Sequence, residues 1–554
     1  METLYRKIGL KKIIFPFIIL LLAACGGSKQ NADFIYYNGF IITMDDSIPN
    51  ATVIVVKDGK ILAIGDSTLR NKYSCDKQNE TNLKGQYVYP GFIDAHCHFY
   101  GYAKTLLSCN LTGTKSWDEV VQKVDSFAET TEDAWITGRG WDQNDWAVKE
   151  YPTNEALNRL FPDRPVILKR VDGHAAICNQ KALTLAGLTA NTKISGGELI
   201  TDKGQLTGVL VDNAVDSVEK IIPQPSVAAM TKVLQSAEKE CFSLGLTTLA
   251  DAGLDVATCL YLDSLGTHQL RKIYLYMMLN PTYAGYDYAV KKGVLENDYS
   301  KICSFKLYAD GALGSRGAKL KQPYCDRPGH SGMLLNSVEY FNDWCSKIKN
   351  NTTYQVNTHC IGDSANRLLL EIYGQYLKGP NDERWRIEHA QVIDPSDFDL
   401  FQRYSIIPSV QPTHATSDGA WAEHRLCNHR MKGAYAYSTL LKQNGYLPLG
   451  TDFPVEYLNP LYTYYSAVFR LNVTVPEQKA FEINEHLQPV QALKGMTIWA
   501  AKACRLEHRK GRLAKGMDAD FVVLNQDLLK TTADNLLQTK VVRTVMGGLT
   551  VFSE

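Results

Sequence analysis

Net charge is the first thing this sequence lacks. Lys+Arg and Asp+Glu both number 59 in 554 residues, so the formal net charge is +0. No whole-chain field gathers a polyanion, and nucleic acid is excluded as an expected partner. Paired CxxC motifs are also missing. The 13 Cys are scattered, which excludes a structural zinc module of that type and leaves buried small hydrophobes or occasional disulfides as their reading. Glycine runs such as Gly138-Arg139-Gly140 have no strand, fingerprint and helix around them, so they are read as turns and not as a dinucleotide site. What is present is a 45% hydrophobic, 21% charged composition, which excludes a disordered scaffold or a small stapled module.

The N-terminus reads as an address. Arg6, Lys7, Lys11 and Lys12 precede an apolar run, Ile13 to Ala24, of about a dozen residues, too short for a comfortable membrane span and suited to a secretory signal. Leu22-Ala23-Ala24-Cys25 resembles a bacterial lipobox, with cleavage before Cys25 and lipid on its sulfur. The expectation is a signal peptide over 1–24, a tether over 25–32, and a protein anchored by lipid to the bacterial cell envelope outside the cytoplasm. The outer membrane is favoured because Gly26, not Asp, follows Cys25.

Beyond Ala32 the pattern is α/β. Turn-separated β-rich runs at both ends (32–88 and the later part of 488–554) suggest one composite β-sandwich, and about 400 residues between them alternate apolar runs with helical stretches. A barrel over 89–487 is expected, with eight candidate strands: Tyr87–His96, Thr247–Gly253, Lys272–Leu279, Ile302–Asp310, Tyr354–Cys360, Arg384–Ala390, Ile406–Pro412 and Tyr446–Asp452. About 150 residues separate the first two, more than a loop needs, so an α+β subdomain is inserted at about 110–240. Its hairpin turns at Asp202-Lys203-Gly204. The dense tyrosine run Leu461–Phe469 is read as a packing helix.

His96 and His98 lie one residue apart at the end of the first strand, so both imidazoles share a face and can hold one metal ion, with Cys97 pointing away. His359, His389 and Asp452 fall at other strand ends, and in a parallel barrel these all open on one face. Lys306 is a cation aimed into a cation site. If its neutral form is favoured, the amine can take up CO2 and become an anionic carbamate bridging two metals. These residues sit in PGFIDAHCH, SFKLYADGALGSRGA, NTHCIGD, RIEHAQ and LGTDFPVEYLNP, an ordered set that resembles the amidohydrolase superfamily, in particular its YtcJ-like branch, amidohydrolase family 3. The resemblance implies a distorted TIM (β/α)8 barrel hydrolysing non-peptide C–N bonds with one or two divalent metals, zinc first among the candidates. His96 and His98 then hold the more buried metal, His359 and His389 the more exposed one, and Asp452 touches the first.

The expected reaction is attack by metal-activated hydroxide on a small amide, formamide, imide or cyclic ureide, with Asp452 moving the proton. An esterase, a lactonase, a deaminase and a catalytically silent ligand-binding lipoprotein are the alternatives. Trp141, Asp142, His174, Asp310, Arg316 and His414 are candidate substrate contacts. Their rival readings are packing for Trp141, a surface or capped core residue for His174 and an Asp310–Arg316 ion pair tethering the glycine-rich loop. His424, His429, His486 and His508 are assigned no chemistry, and a homodimer is the oligomer considered.

Overall fold

The computed structural model describes residues 29–131, 133–223 and 225–554. The expected signal segment and Cys25 lie outside them. Seven parallel strands form the central sheet: β1 (Phe92–Cys97), β2 (Leu246–Leu254), β3 (Tyr274–Leu279), β4 (Ser300–Tyr308), β5 (Gln355–Cys360), β6 (Arg386–His389) and β7 (Ile407–Ser409). They pair in chain order from β1 to β7, with a short antiparallel segment, Leu295–Glu296, on β4. Nearly every residue in these strands is buried. That explains their continuous apolar runs, since helices cover one face and the barrel interior the other.

The segment after Tyr446 fills the gap between β1 and β7. Ala95 N–H donates to Leu449 O (3.1 Å) and Asp452 N–H to His96 O (2.8 Å); on the other side Gly450 N–H donates to Val410 O (3.0 Å). The pairing is one isolated parallel bridge, Val410 to Leu449, in place of the eighth regular strand expected over Tyr446–Asp452. Gly450 is required here, because a Cβ would stand 2.6 Å from His96 N and 2.7 Å from His96 O. This close approach sets Asp452 beside the end of β1.

The predicted first strand, Tyr87–His96, divides at Gly91. Tyr87–Pro90 joins a separate eight-stranded sheet, while Phe92–Cys97 enters the barrel. That other sheet draws strands from both ends of the chain: Tyr87–Pro90 runs antiparallel to Phe521–Leu524 and parallel to Phe40–Ile41. Its apolar side is filled by residues of both ends, including Tyr36, Ile54, Val88, Phe521 and Val545.

Between β1 and β2 stands a lobe with its own six-stranded sheet, running from Cys109–Asn110 to Gln205–Asp212. The hairpin turns at Lys203 and Gly204, both at positive φ (48° and 79°). That is the backbone a two-residue hairpin loop demands. Helix Val227–Ser243 follows the lobe and packs into the barrel core through Met230, Leu234, Cys241 and Phe242. Gly138–Trp141 is not a turn but part of the strand Ile136–Trp141. Its glycines answer a packing need: a Cβ on Gly138 would lie 2.9 Å from Leu168 Cδ2, and one on Gly140 2.4 Å from Thr112 Oγ1.

Candidate metal centre

Strand alternation brings the first two candidate ligands to one side. His96 ends β1 fully buried and His98 follows it, while Cys97 turns away and points its thiol at Ala250 O. His98 Nδ1 lies 3.0 Å from the carbonyl oxygen of Ala252 and His96 Nδ1 2.7 Å from Glu388 Oε2. Both partners only accept, so each Nδ1 carries the proton and each Nε2 presents a lone pair inward.

Asp452 is the hub. Its Oδ1 stands 3.2 Å from His98 Nε2 and 3.6 Å from His96 Nε2, and its Oδ2 stands 3.4 Å from His414 Nε2. A positive φ of 63° turns it into the mouth. Burial by itself would raise the pKa of this carboxyl, but His414 and His98, with His389 and His96 behind them, hold it well below the usual carboxylate range. Two sets of donor atoms, His96/His98/Asp452 and His389/His414/Asp452, each lie within 4.8 Å of one another.

His389 reaches the mouth by a backbone device. Arg386 and Glu388 face the barrel interior, so alternation along β6 would send His389 outward. Positive φ at His389 (74°) and Ala390 (43°) breaks the strand and turns the imidazole back. Its Nδ1 lies 2.7 Å from Gln411 Oε1, which fixes the tautomer with Nε2 unprotonated. His359, at the end of β5, lies edge-on to His389 with ring centroids 4.6 Å apart. Burial pushes the pKa of His96 down to about 4 and those of His359 and His389 well below normal, in His389 against the charge of Asp452. All three are therefore neutral, as ligands must be.

The donor set fits a divalent metal. Asp452 Oδ1 and His359 Nε2 are buried without hydrogen-bond partners among the described residues, whereas the charge of Asp452 raises the pKa of His414 to about 9 against burial. The 3.2 Å approach of His98 Nε2 to Asp452 Oδ1 sets two lone pairs face to face, an arrangement a cation between them would reverse. Imidazole nitrogens with one carboxylate suit zinc. Lys306, fully buried on β4, has Nζ 3.1 Å from His96 Nε2. Burial draws its pKa down to about 8 against the pull of Glu388 and Asp452.

The other site expectations are partly redrawn. His414 belongs to the ligand cluster and stacks on His389 with ring centroids 5.7 Å apart. His174 stands at the mouth, its ring 5.2 Å from that of His359 and its Nδ1 2.8 Å from Asp212 Oδ1. Trp141 is not a substrate wall. It is wholly buried in the lobe, beside Trp146, with Nε1 donating to Leu168 O. Asp142 caps the turn at Asn144 and pairs with Arg170 at 2.5 Å. Asp310 is fully buried and accepts three backbone N–H groups, Oδ1 from Ile361 and Oδ2 from Lys319 and Gly362. Arg316 pairs with Asp326 (3.0 Å) instead of Asp310.

Sequence reasoning overlooked Glu388 and Gln411, which orient ligand imidazoles from behind. Glu388 is held by Arg386, whose Nε lies 2.6 Å from Glu388 Oε1, and this guanidinium and His96 outweigh burial to keep the carboxylate ionised. The available signal was the acid itself, since a Glu beside a strand-end His in Arg-Ile-Glu-His would be costly to bury without a task.

The sequence pattern of the amidohydrolase family matches residues 79–552. The chain is 31% identical to the putative amidohydrolase YtcJ of Bacillus subtilis, over 94% of this chain and 99% of the relative. It is also 31% identical to Protein LONG AFTER FAR-RED 3 of Arabidopsis thaliana, over 93% and 91%. Among solved structures, an uncharacterized metal-dependent hydrolase from Pyrococcus horikoshii superposes with a TM-score of 0.73 at 26% identity, covering 90% of this chain and 99% of that one.

Proposed function

The chain belongs to the amidohydrolase family, and on that premise we propose that it hydrolyses a non-peptide C–N bond in a small amide, formamide, imide or cyclic ureide. The observation that supports this best is Asp452, an ionised buried carboxylate ringed by His96, His98, His389 and His414 at the open end of the barrel. Zinc is the ion we assign to this donor set, held by His96, His98 and Asp452, with His389 and His359 available for a second. A metal bound there supplies Lewis acidity and lowers the pKa of water from about 15.7 toward 7.

The chain's own residues do the rest. Asp452, with two acceptor oxygens in the mouth, takes the proton of the attacking water and passes it to the leaving nitrogen. His174, held by Asp212 beside His359, is placed to donate to the substrate carbonyl; Asp212 raises its pKa against the opposing effect of burial. Glu388 and Gln411 keep two ligand imidazoles in the binding tautomer. Burial favours the neutral amine of Lys306. We assign it as the amine that adds to CO2, releasing one proton and leaving a carbamate between the two donor sets.

The test is metal content per chain on protein purified without chelator and supplied with bicarbonate, alongside Lys306→Ala. Two metals falling to one or none in the variant, with release of amine and acid from an amide panel, are expected. One metal in both proteins would overturn the carbamate, and metal-loaded protein inert on the whole panel would overturn the amidase reading. Release of ammonia from an amidine, or ring opening without a nitrogen leaving group, would move the assignment to a deaminase or a lactonase.

We also propose an exported protein carrying lipid on Cys25. The disulfide Cys325–Cys427 supports an oxidising compartment. Incorporation of labelled fatty acid into the native chain but not into Cys25→Ser is expected, and equal labelling of both would refute it.

A further inference from the structure

The lobe strand Ile136–Trp141 carries one cation that the reading above does not use. Ile136 and Trp141 both face the core formed with Leu111, Val124, Leu157 and Leu168. They are an odd number of residues apart, so strict alternation would put them on opposite faces. The register shift at Gly140, where φ is 115°, resolves the conflict and leaves Arg139 facing away from that core.

On that side the guanidinium lies against the backbone of Gly173, where a Cβ would come 3.4 Å from Arg139 Nη2. Gly173 immediately precedes His174, whose imidazole touches that of His359. One glycine therefore separates the guanidinium from the wall of the metal site. Burial draws the Arg139 pKa down against the negative charges of Asp172, Glu219 and, after them, Asp452.

The cations around Arg139 are satisfied. Arg170 pairs with Asp142 and Asp172, and Lys169 pairs with Glu219 at 2.8 Å. Arg164 donates to the carbonyls of Ala128, Thr131 and Asp133. Arg139 makes one hydrogen bond, from Nη2 to Val171 O at 2.8 Å, and no ion pair among the described residues. Its Nε is buried with no partner. A half-buried guanidinium with an orphaned donor beside a reaction site is a costly arrangement that an incoming planar anion would repair.

We infer that Arg139 is a specificity-determining residue that binds a carboxylate of the substrate, held across the mouth from the scissile bond. The inference deepens the proposed hydrolysis by naming the substrate class, an amide that carries a free carboxylate, and it rests on the barrel mouth being the substrate site. Charge-assisted hydrogen bonds to such a group correspond to about 10- to 100-fold in affinity.

The test uses metal-loaded protein and probes without a scissile bond, levulinate and its longer ω-carboxylate homologues, against the uncharged methyl ketones of the same length, by titration calorimetry. The wild-type protein is expected to prefer the best carboxylate by about 10- to 100-fold. Arg139→Leu is expected to lose that preference while binding the uncharged ketones as before, and Arg139→Lys to keep part of it. Equal affinity of the two series for the wild type, including no detectable binding of either, overturns the inference. A preference that persists in Arg139→Leu also overturns it, because the anion is then held by the metal. Turnover of N-acyl amino acids against N-alkyl amides separates the two claims. An Arg139-dependent binding preference without hydrolysis of either series removes the amidase reading and leaves the anion site standing.

Discussion

Glu388 and His96 meet across the barrel at 2.7 Å, both fully buried, though 292 residues separate them in sequence. The carboxylate fixes which imidazole nitrogen faces the metal site, and Arg386 holds the carboxylate in turn. Glu388→Gln is therefore expected to lower metal affinity by about 10- to 100-fold. It leaves Arg386 as a buried charge without its counter-ion, so unfolding free energy should fall by about 3–5 kcal/mol. Competition against a metal-sensitive chelator reads the first effect and denaturant unfolding the second. Unchanged affinity would assign Glu388 to structure alone.

Asp452→Asn keeps the shape of the side chain and removes its ability to hold a proton. Metal content should persist through the histidines while kcat falls by about 100-fold or more. Single-turnover kinetics on metal-assayed protein checks it, and normal turnover by a loaded Asn variant would transfer the proton step to another group.

Asp310 is expected to matter for stability. Its two oxygens accept the N–H groups of Lys319, Ile361 and Gly362, joining the loop after β4 to the end of β5. Asp310→Ala leaves three buried donors unsatisfied, at about 1–3 kcal/mol each. A loss of roughly 3 kcal/mol or more in urea unfolding is expected, and a loss under about 1 kcal/mol would show that water replaces the carboxylate.

Acid stability should be sensitive to Asp518. Burial opposes its charged form, but Lys510, Arg509 and Lys60 outweigh it and hold the pKa at about 2. A depressed carboxyl pKa contributes stability above the unfolded value near 3.8 that is lost as pH falls toward 2. Wild-type Tm should drop across that window. Asp518→Asn should start lower at pH 7 and change less between pH 4 and pH 2; parallel profiles would remove Asp518 from the acid transition.

Much of the barrel could be read from the sequence, because strands buried on both faces leave continuous apolar runs and their ends carry the candidate ligands. His96, His359 and His389 lie at strand ends and His98 just past one, whereas Asp452 follows an isolated bridge in place of the expected eighth strand. The errors share a different cause. Trp141, Asp142, Asp310 and Arg316 were judged by residue type and nearness to a loop, whereas their roles are set by partners that local pattern does not reveal: Leu168, Arg170, Ile361 and Asp326. His389 was assigned the right face although alternation from Glu388 would have denied it. Only the positive φ at the strand end reconciles the two. Arg139 was hidden in a run read as a turn because its flanking glycines serve tight strand packing.

The sheet built from both ends also constrains the order in which the molecule can be completed. Tyr87–Pro90 has Phe40–Ile41 on one side and Phe521–Leu524 on the other. During synthesis its second edge stays open until nearly the whole barrel has been made. The last strands to emerge close over the first, so a ribosome that stops short of Phe521 leaves a barrel sequence attached to an unfinished edge, a template for pairing with other chains.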